Sequence, residues 1–353
     1  MMANKTGSAA VAERPADSVW LSTLPTPRIA PVSGSARPSA EMLRAVRPAV
    51  GELAGLPGAV TDLAVSHDGR HLVAAHLGED AVSIIDVATL SVSAVVSGIA
   101  EPYAVAASDR AYIRSASISE DSVVAVDLNT GLPLAAREVG VGARGLAVSR
   151  SGDLVYIARS TEDLAEIAVV DVESGHVSTI VVAREYGASV DAVRVDAAGN
   201  RLYAALSTAA GGALVVIDVR TGKVLKTIAV GVSVGDIAVH PDGRRVFVTG
   251  WDDDLGGVVR IVDTAAGRVV HTVEIMGGLP AQVILTAGAV YLADGHEVVV
   301  IDTATARIVE RIDIGRPVSC LAVSRDASCL YVGDYQGAVA ALEVRSAGLR
   351  AAS

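Results

Sequence analysis

The chain has 353 residues and a formal net charge of −11; 51% of it is hydrophobic, yet only 3% is Phe, Trp or Tyr. With no run of Lys or Arg, this acidity argues against nucleic acid and anionic membranes as partners. No stretch approaches the ~18 apolar residues of a bilayer span, Met1 to Arg14 lack the apolar centre of a signal peptide, and two cysteines make no disulfide framework; a soluble, cytoplasmic protein with free thiols is expected.

Residues 1–45 stand apart. With Pro48 just beyond, this stretch holds half of the twelve prolines, many Ser and Ala, and no sustained alternation, so it reads as a flexible arm. Within it only Ser18–Leu24, containing Trp20, is apolar enough to dock on a surface.

From residue 46 to 345 one pattern repeats: two or three β-branched or small apolar residues, an acid, then a turn. It reads Ile84-Ile85-Asp86, Ala125-Val126-Asp127, Val169-Val170-Asp171, Val216-Ile217-Asp218, Ile261-Val262-Asp263 and Val300-Ile301-Asp302, with Leu342-Glu343 as a worn seventh copy. Successive acids are 41, 44, 47, 45, 39 and 41 residues apart. A period in the forties with only strand-like segments inside it predicts a β-propeller in which each repeat is one four-stranded antiparallel blade.

Each repeat opens on a strand such as Leu63-Ala-Val-Ser66, repeated as Leu146-Ala-Val-Ser149, Ile237-Ala-Val-His240 and Leu321-Ala-Val-Ser324. A tight turn follows, clearest in His67-Asp-Gly69 and Pro241-Asp-Gly243. The second strand places Tyr112, Tyr156, Tyr203, Phe247, Tyr291 and Tyr331 at one repeat position, with Val73 in the first copy, which predicts a packing ladder between blades. The third strand ends at the repeated acid. A Thr or Ser three residues later, as in Asp127-Leu-Asn-Thr130 and Asp218-Val-Arg-Thr221, predicts a turn whose amides bond that carboxylate. The fourth strand, as in Lys223 to Val230, is the outer edge.

The last repeat stops after its third strand, and residues 346–353 form a tail. Ala45 to Leu53 supplies the missing outer strand, so the ring is predicted to close with seven blades by joining its two ends, which leaves no exposed edge. Cys320 and Cys329 fall about three residues out of register on neighbouring strands, a gap of ~10 Å at ~3.3 Å per residue, and are expected to stay free.

The repeat resembles the YVTN-type β-propeller proteins of bacteria and archaea, seven-bladed relatives of surface-layer propellers and, more distantly, of lactonase and amine-dehydrogenase propellers. Phe247-Val-Thr-Gly250, between Pro241-Asp-Gly-Arg-Arg245 and Ile261-Val-Asp-Thr264, carries the resemblance best. At the last position of that motif His76, Ser115, Arg159, Leu206, Gly250, Asp294 and Asp334 replace the usual Asn. The resemblance implies the fold; its motif residues are packing and turn residues and carry no activity.

In such a ring the loops between second and third strands and those entering each innermost strand converge on the mouth of the central channel, the usual ligand site of the architecture. Aligning the innermost strands puts Thr61, Tyr103, Arg144, Asp191, Gly235, Ala281 and Ser319 in one layer and Asp62, Ala104, Gly145, Ala192, Asp236, Gln282 and Cys320 in the next. Deeper still, Arg194 stands where the other strands carry Ala64, Ala106, Ala147, Ala238, Ile284 and Ala322. A charge in a narrow channel needs a counter-charge, which Asp191, Asp236 or Asp62 can supply. Arg194 is thus either half of a structural ion pair or an anchor for a carboxylate or phosphate. The candidate ligand residues are Asp62, Tyr103, Arg144, Asp191, Arg194, Asp236 and Gln282.

Acids also crowd the loops of the same face: Glu79-Asp80, Glu120-Asp121, Glu162-Asp163, Asp252-Asp253-Asp254, Asp294 with Glu297, and Asp334. They keep the surface soluble or draw a cation or basic partner. Trp251, beside Asp252, Asp253 and Asp254, is the candidate partner contact. The seven histidines show no metal-binding spacing, and nucleophile-elbow, P-loop and dinucleotide motifs are missing from the sequence. The expected function is a non-enzymatic scaffold that binds a protein partner or small ligand at the acidic loop face and channel mouth. The alternative is a lactonase-like hydrolase, with Asp, Arg and His of the mouth activating water and a divalent cation as its cofactor; no catalytic residue is singled out.

Overall fold

The computed structural model describes the backbone of Arg44–Ala45 and residues 50–117, 120–231, 233–275, 277–278 and 282–344. The rest of the expected arm with Trp20, the tail after residue 345, and Ala281 of the first channel layer lie outside the described residues. All described residues belong to one compact unit, Ser39–Ser353, built from β-sheets with no helix among them.

Seven sheets follow one another along the chain. Blade 1 runs from the channel outward through Asp62–Val65, His71–His76, Ala81–Asp86 and Ser91–Ser97. Blades 2 to 6 repeat this order from innermost strands Pro102–Ala107, Ala143–Val148, Ser189–Val195, Ser233–Val239 and Gln282–Leu285. Blade 7 takes three strands from the end of the chain, Val318–Val323, Cys329–Asp334 and Val339–Glu343, and its outer strand, Gly51–Leu53, from the beginning. Gly51, Glu52 and Leu53 pair with Ala341, Ala340 and Val339, so a first-to-last pairing closes the ring. The protein is an all-β seven-bladed propeller of four-stranded antiparallel blades.

The closing strand differs from expectation in one respect. Instead of one strand from Ala45 to Leu53, the segment divides: Arg44–Ala45 runs parallel to the outer strand of blade 6, opposite Arg311 and Ile312, and only Gly51–Leu53 joins blade 7. Residues 46–49 between the two pieces lie outside the described residues.

Seven apolar clusters lie one at each contact between adjacent blades, including blade 7 against blade 1. The second-strand aromatics are distributed one per cluster, with Val73 serving between blades 1 and 2. Two of the hydroxyls reach the next blade, whereas the buried Tyr156 Oη has no hydrogen-bond partner among the described residues. Tyr112 Oη donates to the Gly152 carbonyl at 3.3 Å and Tyr203 Oη to the Gly243 carbonyl at 3.4 Å, both in the first hairpin turn of the following blade. Gly243 sits at φ +65, a conformation that a side chain disfavours.

The repeated acids close turns as expected. Asp127 Oδ1 accepts the amides of Asn129 and Thr130 and the Thr130 hydroxyl at 2.8–3.0 Å, and Asp218 does the same with Thr221 at 2.7 Å. These bonds favour the ionised form and hold both carboxyls below their usual range. Cys320 and Cys329 are both free, and burial pushes both thiols up.

Candidate functional site: the channel mouth and its ring of amides

The innermost strand of each blade has a partner on one side only. In blade 1 the Ser66 amide donates to the His71 carbonyl, so Ala64 and Asp62 bond to the second strand and Leu63 turns its N–H toward the channel. The same parity holds in the other blades, from Ser108–Arg110, Ser149–Leu154, Asp196–Arg201, His240–Arg245, Thr286–Ala289 and Ser324–Cys329. It aims the amides of Val105, Leu146, Val193, Ile237, Val283 and Leu321 at the channel. Seven N–H donors therefore ring the mouth at one level, and a buried donor left without a partner is costly.

Three candidate residues serve this ring. Asp62 accepts its own neighbour's amide, Leu63, through Oδ1 and the blade 2 amide of Val105 through Oδ2, both at 2.9 Å. Asp236 repeats the arrangement between blades 5 and 6, with Ile237 on Oδ1 at 2.8 Å and Val283 on Oδ2 at 3.0 Å. Gln282 Oε1 accepts the Leu321 amide of blade 7 at 2.5 Å, and its Nε2 donates to Asp62 Oδ1 at 3.1 Å. The second-layer acids thus act as clamps between blades. Burial pushes the Asp62 carboxyl up to about 6, outweighing the Val105 and Leu63 amides and the nearby Arg194 charge, all of which favour ionisation.

Arg194 takes its counter-charge from Asp236: Nη2 lies 2.6 Å from Oδ1, while Nη1 donates to the Val193 carbonyl at 2.9 Å. Of the other two acids, Asp62 stays on its amides and Asp191 turns to the Ser207 hydroxyl at 2.7 Å and the Ser189 hydroxyl at 3.0 Å. Arg144, half exposed at the mouth, approaches Asp191 at 3.5 Å. Tyr103 is exposed, with the Arg114 guanidinium 5.6 Å from its ring centre.

Much of the loop acidity is neutralised by arginine. Asp121 pairs with Arg114 at 3.4 Å and accepts the Ala143 amide of blade 3 at 2.8 Å; Glu166 pairs with Arg159, Glu297 with Arg311 at 3.3 Å, and Asp334 with Arg316 at 3.0 Å. Of the Asp252-Asp253-Asp254 run, Asp252 bonds Arg260 at 2.5 Å and caps the amides of Asp254 and Leu255, leaving Asp253 and Asp254 exposed.

Trp251 is exposed on the same loop face, and it is not alone. Tyr103 at the start of the blade 2 inner strand, Tyr186 in the loop entering blade 4, Trp251 at the end of the blade 5 second strand and Tyr335 in the blade 7 loop are 51%, 73%, 43% and 55% exposed. All four sit where second strands end and inner strands begin, as the Ser233–Trp251 pairing and the Tyr335 amide on the Pro317 carbonyl show. Of these four, sequence reasoning missed Tyr186 and Tyr335; their positions outside the aromatic ladder were the available signal.

Among the described residues no group of three or more His, Cys, Asp and Glu side chains is placed to hold a metal ion. His76 is fully buried, its ring nitrogens 3.2 Å from the Gly58 carbonyl and 2.8 Å from the Ser83 hydroxyl, while His296 is exposed.

The chain is similar to the seven-bladed beta-propeller protein Rv1057 of Mycobacterium tuberculosis, with 29% identity over 326 residues that cover 82% of this chain and 83% of that protein. Among solved structures, a chain of the hydrazine synthase of Kuenenia stuttgartiensis matches with a TM-score of 0.73 at 20% identity, covering 82% of this chain and 97% of that one. A likeness at that identity shows the shared fold alone. No family model matches the chain.

Proposed function

We propose that this protein is a non-enzymatic binding scaffold of the YVTN-repeat kind, working in the cytoplasm, which recognises a small ligand or the surface of a protein partner on its loop face and at the channel mouth. The distribution of aromatic residues carries this reading. Six of the ten described aromatics are buried between blades, and the other four, Tyr103, Tyr186, Trp251 and Tyr335, are exposed on one face. Tyrosine and tryptophan give rigid contact area at low entropic cost, and with arginine they dominate binding hot spots. Arg144 and the Arg114–Tyr103 stack lie among them.

The lactonase-like alternative gains no observation in its favour, because Asp62 and Asp236 spend their oxygens on backbone amides. A thermal-shift screen of divalent metals, lactones, sugar phosphates and carboxylates separates the two. Binding is expected to weaken in Tyr103→Ser and Tyr335→Ser and to survive in the outer-strand variant Leu225→Ser. A ligand lost only in Leu225→Ser, or a lactone that is hydrolysed, overturns the reading.

A further inference from the structure

The face opposite the channel loops carries the hairpin turns, and there the junction between blades 4 and 5 holds a cleft of about 440 Å³. Both blades contribute to its walls. Arg201 opens the second strand of blade 4, Lys226 lies on the outer strand of that blade, and Arg244 follows Gly243 in the first hairpin turn of blade 5. The buried Val216 and the half-exposed Leu225 supply an apolar wall. A Cβ built on Gly243 would meet nothing within 4 Å, so the space beside that turn is open.

The repeat sets this junction apart from the others. Arg201 stands opposite the repeated acid Asp218, Lys226 stands opposite Val216 two residues before that acid, and Arg244 directly precedes the second strand of the next blade. At these three positions the junctions after blades 2, 5 and 7 carry one Lys or Arg each, namely Arg110, Arg245 and Arg70. The junctions after blades 1, 3 and 6 carry none. At the position of Lys226 itself the other outer strands place Ala94, Ala135, Ser178, His271, Glu310 and Gly51. Three cations thus meet at one junction of a chain whose formal net charge is −11.

Their charge is only partly answered. Arg244 spends Nε and Nη2 on Asp263, both at 2.9 Å. The Lys226 ammonium donates to the Thr264 carbonyl at 2.7 Å and the Ala265 carbonyl at 3.1 Å, which occupies two of its three N–H bonds with neutral acceptors. Arg201 lies against the Tyr203 hydroxyl. Among the described residues no carboxylate forms an ion pair with Lys226 or Arg201. The nearby acids have other duties: Asp196 accepts the amides of Asn200 and Arg201, and Asp242 accepts those of Arg244 and Arg245 and pairs with the Arg245 side chain. Three cations against Asp263 leave two positive charges without a paired acid.

We propose that this cleft binds the phosphate group of a small organic phosphomonoester, held by Arg201, Lys226 and Arg244. Such a group carries roughly 1.5–2 negative charges at neutral pH and three strong acceptor oxygens, which suits two unanswered charges and donors on three side chains. The third N–H of Lys226 can serve it without giving up an existing bond. The cleft is larger than a phosphate group and falls in the size range of small-molecule sites, so the rest of the ligand has room. It lies on the turn face, away from Tyr103, Tyr186, Trp251 and Tyr335, and is separate from the loop-face surface.

The probe is phenyl phosphate, titrated calorimetrically into the full chain in sodium chloride at pH 7.5. A Kd of roughly 0.1–1 mM is expected, the scale that so small a ligand reaches. Benzenesulfonate keeps the ring but has one charge, and it should bind at least about threefold more weakly. Lys226→Met and Arg201→Gln should each weaken phenyl phosphate by about fivefold or more, whereas Arg110→Gln, a cation at the matching position between blades 2 and 3, should change nothing. Leu225→Ser keeps all three charges and should retain binding within about twofold. Inorganic phosphate should compete for the site.

Lys226 also ties blade 4 to blade 5, so a second measurement uses the unaltered chain. Lysine occurs only as Lys5, Lys223 and Lys226, and carbon-13 labelling at lysine Cε gives a readable spectrum. The Lys226 signal, identified by its loss in Lys226→Met, should move with phenyl phosphate. A Lys226 signal that stays in place, equal affinity in wild type, Lys226→Met and Arg201→Gln, or failure of inorganic phosphate to compete overturns the site. A phosphate weakened by Lys226→Met and indifferent to Tyr103→Ser belongs to this cleft; the loop-face reading stands or falls on the ligands that Tyr103→Ser and Tyr335→Ser weaken.

Discussion

Gln282 and Asp62, 220 residues apart in the chain, meet at 3.1 Å across the channel mouth, where the glutamine amide donates to the aspartate carboxylate. The same glutamine accepts the Leu321 amide, so one side chain ties blade 6 to blade 7 and blade 1. Replacing Gln282 with Ala leaves the Leu321 donor without its partner. The expected cost is about 1–3 kcal/mol in urea unfolding, the penalty of an unsatisfied buried group. Faster amide exchange at Leu321 should accompany it.

Asp62 predicts a pH dependence of definite sign. Its folded-state pKa, about 6, lies above the ordinary value of 3.8, so the native protein binds this proton more tightly than the unfolded chain. The associated stability is fully present below the unfolded value and is lost as pH rises through about 6. The difference in unfolding midpoint between wild type and the non-titrating Asp62→Asn variant should therefore shift in favour of wild type as pH falls from 8 to 5. A shift toward the variant over that range would mean that the amide bonds outweigh burial.

Arg194 and Asp236 form one ion pair with unequal duties. Asp236 accepts Arg194 and two backbone amides, whereas Arg194 is partly exposed and its removal leaves Asp236 still bonded to Ile237 and Val283. Asp236→Ala should cost about 3 kcal/mol or more, since it strands a charge and two donors, and Arg194→Ala about 1 kcal/mol with the fold retained. Calorimetric midpoints for the two variants decide the order.

Ring closure depends on few bonds at its outer edge. The Val50 amide donates to the Ala341 carbonyl at 2.7 Å, while its side chain is exposed. Val50→Pro removes that donor at little cost in packing. It should lower the unfolding midpoint and raise protease cleavage near Gly51–Leu53, with cuts elsewhere unchanged.

Period and residue type made the scaffold legible. Asp127 and Asp218 could be assigned to turns because a Thr follows at a fixed spacing, and Tyr112 and Tyr203 to a ladder because they recur at one repeat position. The site was legible only in part. Alignment of the innermost strands put Asp62, Asp236 and Gln282 near the channel, but their bonds to Val105, Val283 and Leu321 depend on neighbouring blades meeting at the right height, which no single repeat encodes. For the same reason Arg194 had three plausible acids and the structure pairs one. Arg260 and Arg311 neutralise acids of their own blades from the third and fourth strands, and Arg316 reaches Asp334 from the loop before blade 7; the repeated motif does not specify these side-chain pairings.

The unequal capping of the channel amides is tested most directly by residue-resolved hydrogen exchange on the unliganded protein. The amides of Leu146 and Val193 should exchange at least about tenfold faster than those of Leu63, Val105, Ile237, Val283 and Leu321. Equal protection of all seven would contradict a ring whose amides are capped by side chains in five places and uncapped in two.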